Sequence, residues 1–309
     1  MTIHDEELAF PGYNLVVSGH APEAWLMDMG GRVVHRWKRE APVEYGVQPQ
    51  RNFWRRVELL ESGELLAIFD PYGMLKLDRE SRSIWATPST DHIHHDLSAT
   101  ADGLIYTLGK RHRKIPELDD RLTFGEDLIL VLDPDGRVID RLSILEAFMR
   151  SPFGDEILDG IRAGLVHATG DAWEDFHANT IQVLDGSLER LGPAFEAGNV
   201  VSCSPHVDNV FIVDLETRSV VWNWSGPWRR IHEPQVLPTG TLVLFHNNGL
   251  EPALSSFSEV VEYDLLEREQ TWIYDGRPRP NHEGFFSGTS STVERLPNGN
   301  TLIVVTEAG

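Results

Sequence analysis

Short apolar runs recur along the chain, each closed by an aspartate and followed by turn-forming residues. Runs at 25–28, 74–78, 130–133, 211–214 and 261–264 share this form, and their final aspartates (Asp28, Asp78, Asp133, Asp214 and Asp264) are spaced by 50, 55, 81 and 50 residues. A step near fifty built from strand-length pieces is the mark of one supersecondary unit copied several times. In the second copy the strand signals are 55–60, 64–69, 74–78 and 83–85, separated by Ser62-Gly63, Pro71-Tyr72-Gly73 and the charged stretch 79–82. The third copy repeats the pattern at 95–99, 104–108, 128–133 and 137–140, and the fifth at 232–237, 241–245, 259–264 and 271–273. Four antiparallel strands per copy predict an all-β fold, a single β-propeller domain over 10–309 with six four-stranded blades.

The irregularities are part of the prediction. The 81-residue step holds two helix-like stretches, 143–150 and 156–162, read as an insertion over about 143–175 that covers one face. Near the N-terminus, 14–17, 24–28 and 32–37 supply three strands without an innermost one, and 291–305 supply only an innermost pair. Another period would place an aspartate near 314, so the last blade is expected to be incomplete and the chain trimmed. Tryptophans follow four of the five aspartates (Trp37, Trp85, Trp222 with Trp224, and Trp272) and are expected to pack one unit on the next. The aspartates themselves should cap the turns after them.

Composition narrows the function classes. With 27 basic and 48 acidic residues the net charge is −21, which argues against a general nucleic-acid or anionic-membrane surface. An anion site must then be a local gathering of His or Arg. A single cysteine, Cys203, excludes an internal disulfide and a cysteine-based zinc site. No run is long enough for a transmembrane helix, and residues 1–7 lack the basic region and apolar stretch of a signal peptide. As read, the chain is expected in the cytoplasm, with its compartment and oligomeric state left open. No P-loop, dinucleotide glycine pattern or Ser-His-Asp order stands out.

Aligning the innermost strands on their turn glycines gives the sharpest candidate site. Eight residues before Gly63, Gly103, Gly240 and Gly299 stand Arg55, His95, His232 and Ser291, and nine before Gly186 stands His177. Equivalent positions at the starts of innermost strands should meet at one mouth of a propeller channel. A lone histidine is more often a core or rim residue, but three at one repeat offset are not readily accounted for that way. Such a mouth offers donors for an oxyanion and a neutral imidazole nucleophile. Alternatively, three imidazoles can ligate zinc or iron. The neighbouring carboxylates Asp96 and Glu233 should point to the other face of their strands.

At these residues the chain resembles the arylsulfotransferase family of bacterial propellers, as a short, propeller-only member. The opening stretch 12–37, His94-His95-Asp96-Leu97, Asp175-Phe176-His177-Ala178-Asn179, Ile231-His232-Glu233-Pro234 and the run 239–249 match its blocks in order. The resemblance implies transfer of a sulfuryl group from an aryl sulfate donor to a phenolic acceptor through a sulfohistidine, in a ping-pong cycle with no nucleotide sulfate donor and no cofactor. It implies His232 as the nucleophile, His95 and His177 as charge-stabilising or proton-donating partners, and His94 and Asn179 among the substrate contacts with Arg55 and Ser291. The family's arginine after a Ser-Ser pair is replaced here by Ser204. His206 or Arg55 is the nearest substitute for its cation. The best-known relatives are exported. Open alternatives are a histidine-ligated metal enzyme, a hydrolase, and a propeller that binds without catalysis.

Overall fold

A computed structural model describes residues 5–45, 52–165, 172–174, 176–248, 257–280 and 283–306. They group into two compact units, Met1–Arg111 with Leu128–Arg141, and His112–Asp127 with Leu142–Gly309.

In the first unit β1 (Tyr13–Val17), β2 (Glu23–Asp28) and β3 (Val33–Lys38) form a three-stranded antiparallel sheet. A four-stranded sheet follows in chain order, β4 (Val57–Leu59), β5 (Leu65–Phe69), β6 (Gly73–Leu77) and β7 (Ser83–Pro88). The next contains β8 (His94–Ala99), β9 (Ile105–Ile115), β10 (Asp119–Leu132) and β11 (Val138–Ser143). β9 and β10 run well past the lengths their apolar runs predict, and the extension 112–127 belongs to the second unit.

Why β5 reads as a continuous apolar run is clear from its two faces. Leu65, Ala67 and Phe69 pack with Ala24, Trp37 and Trp54, while Leu66 and Ile68 pack with Ile93, Leu97, Leu128 and Leu130. A strand buried on both sides carries no polar alternation.

In the second unit the hairpin extension is followed by α1 (Ile144–Met149) and α2 (Gly154–Leu165), where the sequence predicts helices. Ser143 caps α1 by accepting the Glu146 N–H at 3.0 Å, the N-cap half of a Ser-x-x-Glu box. β12 (Ala172–Glu174) pairs in parallel with β10 at 123–125. Two four-stranded sheets follow: β13 (Gln182–Val183), β14 (Val200–Ser204), β15 (Asn209–Asp214) and β16 (Ser219–Ser225), then β17 (Ile231–Leu237), β18 (Thr241–His246), β19 (Glu259–Asp264) and β20 (Gln270–Asp275). β18 repeats the two-faced burial of β5: Leu242 and Leu244 join the core with Val201, Ile212 and Trp224, and Val243 and Phe245 join Val260 and Val293.

The last described strands are β21 (Thr292–Arg295) and β22 (Thr301–Val304), which among the described residues pair only with each other. The expectation of six blades is therefore corrected to five. Among the described residues five sheets have three or more strands, and the sequence after Ser291 supplies only two strand-length runs. Residues 166–171 of the predicted insertion, Asp175 and Gly249 lie outside the described residues.

The recurring aspartates cap their turns. The Oδ1 atoms of Asp28, Asp78 and Asp133 each accept the backbone N–H groups two and four residues ahead, at 2.8–3.0 Å. Asp214 and Asp264 accept those two and three ahead. This is the Asx-turn chemistry of a short side chain that mimics a backbone acceptor. The outer-strand tryptophans also join sheets: Trp85 donates Nε1–H to the Pro134 carbonyl at 3.0 Å, across the turn that contains Gly136. A Cβ on Gly136 would come within 2.7 Å of the Trp85 ring, so that close approach requires glycine.

Candidate functional site

Arg55, His94 and His95 belong to the first unit; His177, Asn179, His206, His232 and Ser291 belong to the second. Each predicted offset position lies at or just before the start of an innermost strand: Arg55 before β4, His95 in β8, His177 before β13, His232 in β17 and Ser291 before β21.

In the first unit the register of β8 on β9 slips between His94 and Leu97, and His95 sits in the left-handed region at φ 56°. A bulge re-aims side chains, so period-two alternation fails here. His94 is buried, and its Nδ1 lies 2.7 Å from His95 Nδ1 with the rings edge to face. One nitrogen must donate and the other accept, so the two tautomers are linked. The Asp96 carboxylate takes the Leu97 N–H and the Arg56 Nε–H, each at 2.9 Å. Arg55 shares its charge with Asp70 at 3.9 Å. Nearby Glu58, whose carboxylate accepts the Ala99 N–H, is pushed up from 4.5 to about 7 by burial, with a smaller push from Asp96.

The second unit holds a denser arrangement. His177 is also left-handed, at φ 55°, and the segment that carries it is pinned on several sides. Phe176 stacks on Phe148 of α1 with centroids 5.3 Å apart, and the Ala178 N–H donates to the buried Asp127 carboxylate at 2.9 Å. Asn179 donates Nδ2–H to the Ile231 carbonyl at 3.1 Å, and Thr180 Oγ1 accepts the Glu233 N–H at 3.1 Å. The segments bearing His177 and His232 are thus stapled side by side. Asn179, placed by resemblance among substrate contacts, is 6% exposed, and its Oδ1 also accepts from Thr180 and Cys203.

His206 stacks on His177, centroids 5.1 Å apart and planes 22° from parallel. Ser204, at the position of the family arginine, is fully buried and donates its hydroxyl to the Phe176 carbonyl. That position supplies no cation.

His232 follows an anchored approach. Asp208 takes the Arg230 N–H at 2.6 Å, and its backbone carbonyl takes the Trp228 Nε1–H at 2.8 Å. Arg230 and Glu233 are left-handed at φ 56° and 49°, and the register of β17 on β18 slips between His232 and Gln235. The Nδ1 of His232 lies 2.7 Å from Asn247 Oδ1 and 3.2 Å from the Arg230 carbonyl. Asn247, fully buried, donates Nδ2–H to the carbonyls of Ser287 at 2.7 Å and Ser290 at 2.8 Å. Ser291 follows directly, at φ 130°, and its hydroxyl accepts the Thr306 N–H at 3.2 Å.

Asn247 and Asp208 carry no role in the sequence reading. Neither stands at the repeat offset; the run 239–249, which carries part of the resemblance, contains Asn247, and no sequence signal marks Asp208. Among the described residues, no group of three or more His, Cys, Asp or Glu is arranged to hold a metal ion.

Comparison with known proteins extends this picture. The family model described as Arylsulfotransferase (ASST) matches residues 56–309. No curated protein matches the chain. Among solved structures, the WD40 β-propeller domain of Doa1 aligns with a TM-score of 0.51 and 10% identity, covering 95% of this chain and 72% of that one. A streptogramin B lyase structure aligns with a TM-score of 0.51 and 11% identity, covering 97% and 74%. At such identities the likeness bears on fold alone, and the fold is an all-β β-propeller.

Proposed function

Because this chain belongs to the arylsulfotransferase family, we propose that it moves a sulfuryl group from an aryl sulfate to an acceptor phenol through a covalent adduct on His232. Family membership supports sulfotransfer in general; the adduct, the ping-pong order and the phenolic acceptor are our reading of the site. The observation that carries it is the stapling of two strained segments, one bearing His177 with its stacked partner His206, the other bearing His232.

In this mechanism a ring nitrogen of neutral His232 attacks sulfur in line. The N–S bond forms as the S–O bond to the aryl group breaks, and the departing phenolate carries off the electron pair and takes a proton from a neighbouring imidazolium, which is left as neutral imidazole. His177, backed by His206, donates to the sulfuryl oxygens, whose charge spreads in the transition state. Donors fixed in advance are the largest lever available for such chemistry. A phenol then attacks the sulfuryl-histidine, giving its proton to the imidazole that lost one.

Replacing His232 by Ala should lower turnover of nitrophenyl sulfate in the presence of a phenol by on the order of 10³-fold or more, with the melting temperature little changed. Retention of most of the activity would remove His232 as the nucleophile.

Ser204 favours a second reading, a propeller that binds aryl sulfates without turning them over, since its side chain is committed to the Phe176 carbonyl. Calorimetric binding of an aryl sulfate with no product released, with or without a phenol, would select that reading.

A further inference from the structure

We infer that Asn247 is a positioning residue that fixes the tautomer of His232, holding the proton on Nδ1 and so reserving Nε2 as the nitrogen that reacts. The inference rests on the proposed role of His232, but its first test does not depend on it.

The amide orientation of Asn247 follows from what surrounds it. One end lies 2.7 and 2.8 Å from the backbone carbonyl oxygens of Ser287 and Ser290, which can only accept hydrogen bonds. The NH₂ end must face them, because an oxygen there would confront two lone-pair-bearing oxygens in a fully buried place. The Oδ1 end is then the one 2.7 Å from His232 Nδ1. The other neighbour of that nitrogen, the Arg230 carbonyl at 3.2 Å, is also an acceptor. Between two acceptors Nδ1 must be the protonated nitrogen, and in the neutral ring the lone pair resides on Nε2.

The support behind Asn247 is itself fixed. Ser258, buried, donates its hydroxyl toward the carbonyls of Asn247 and Ser287, both at 3.2 Å, and accepts the Ser287 N–H at 3.0 Å. Ser287 donates its hydroxyl to the Ser290 carbonyl at 2.8 Å. The two carbonyls that orient the amide are therefore held by a second layer of hydrogen bonds, and Arg230, source of the other acceptor, is held by Asp208. A reactive imidazole gains from such support in two ways: the lone pair stands on the same nitrogen in nearly every molecule, and the ring cannot swing away from the line of attack.

The test is nitrogen NMR of the full chain labelled with ¹⁵N-histidine, the His232 signals being those lost in His232→Gln. Above the pH at which the ring titrates, the expected result is a pyrrole-type Nδ1 and a pyridine-type Nε2; a proton found on Nε2 overturns the inference. Asn247→Leu, which removes acceptor and donors, should mix the tautomers and lower kcat on the order of 10²-fold or more with KM within a few-fold. An Asn247→Leu protein that keeps both the Nδ1 proton and wild-type kcat overturns the inference. Should that variant fail to fold, the wild-type spectrum still decides. If His232→Ala keeps its turnover, the proposed function falls, while the tautomer measurement stands by itself.

Discussion

Two of the three offset histidines adopt a backbone conformation that side chains avoid. His95 and His177, at φ 56° and 55°, are in the left-handed region, which costs a non-glycine residue on the order of 1 kcal/mol. Strain of this kind persists where surrounding contacts impose it, and here they do: bulged register at β8, and pinned neighbours around His177. His95→Gly should consequently be more stable than His95→Ala by about 1 kcal/mol in denaturant unfolding, although both lack the imidazole. Equal stabilities would mean that the backbone relaxes once the ring is gone. At this scale the repeat offset located the histidines from sequence, because position along a repeat is a linear property. It could not locate Asn247, whose role depends on carbonyls at Ser287 and Ser290, 40 and 43 residues further on. Nor could it foresee left-handed histidines, since the usual mark of that conformation is glycine.

Strand pairs carry the next level, and there the sequence was legible wherever both faces of a strand are buried. β5 and β18 read correctly because their continuous apolar runs serve two neighbouring cores. The long β9–β10 hairpin was not legible, since its outer part is built from charged residues such as Arg111, Arg113 and Lys114 that resemble a loop. Innermost strands are joined by polar links, of which Glu58 on β4 to the Ala99 N–H on β8 is one with a measurable consequence. Its carboxyl titrates near 7 when folded, against an ordinary 4.5, so the native chain keeps a proton that the unfolded chain releases. The stability this proton confers is complete below about 4.5 and lost as pH rises through about 7. After allowance for partial exposure it amounts to on the order of 2 kcal/mol. Glu58→Gln should remove that slope, leaving the variant more stable than the parent at pH 8 by roughly this amount, as read from thermal unfolding at several pH values. A slope unchanged by the substitution would assign it to other groups.

Across the whole molecule, the near-constant aspartate spacing gave the fold class but not the blade count. Spacing counts turns, and each aspartate does cap one; it does not say whether the strands at either end complete a sheet. Among the described residues, three strands at the start and a lone pair at the end leave five sheets of blade size where six were expected. The net charge of −21 sets the chemical problem at this scale, because the aryl sulfate proposed as donor would have to be drawn in against the overall field by local donors. Imidazoles suit that task, since they donate hydrogen bonds without a permanent charge and one of them can also react. The most direct test is to incubate the protein with nitrophenyl sulfate without an acceptor, quench, digest and weigh the peptides. A gain of about 80 Da on the peptide containing His232, discharged when a phenol is added, is the predicted result. Consumption of the aryl sulfate with that peptide unmodified, or with the added mass on the peptide of His95 or His177 instead, would contradict it.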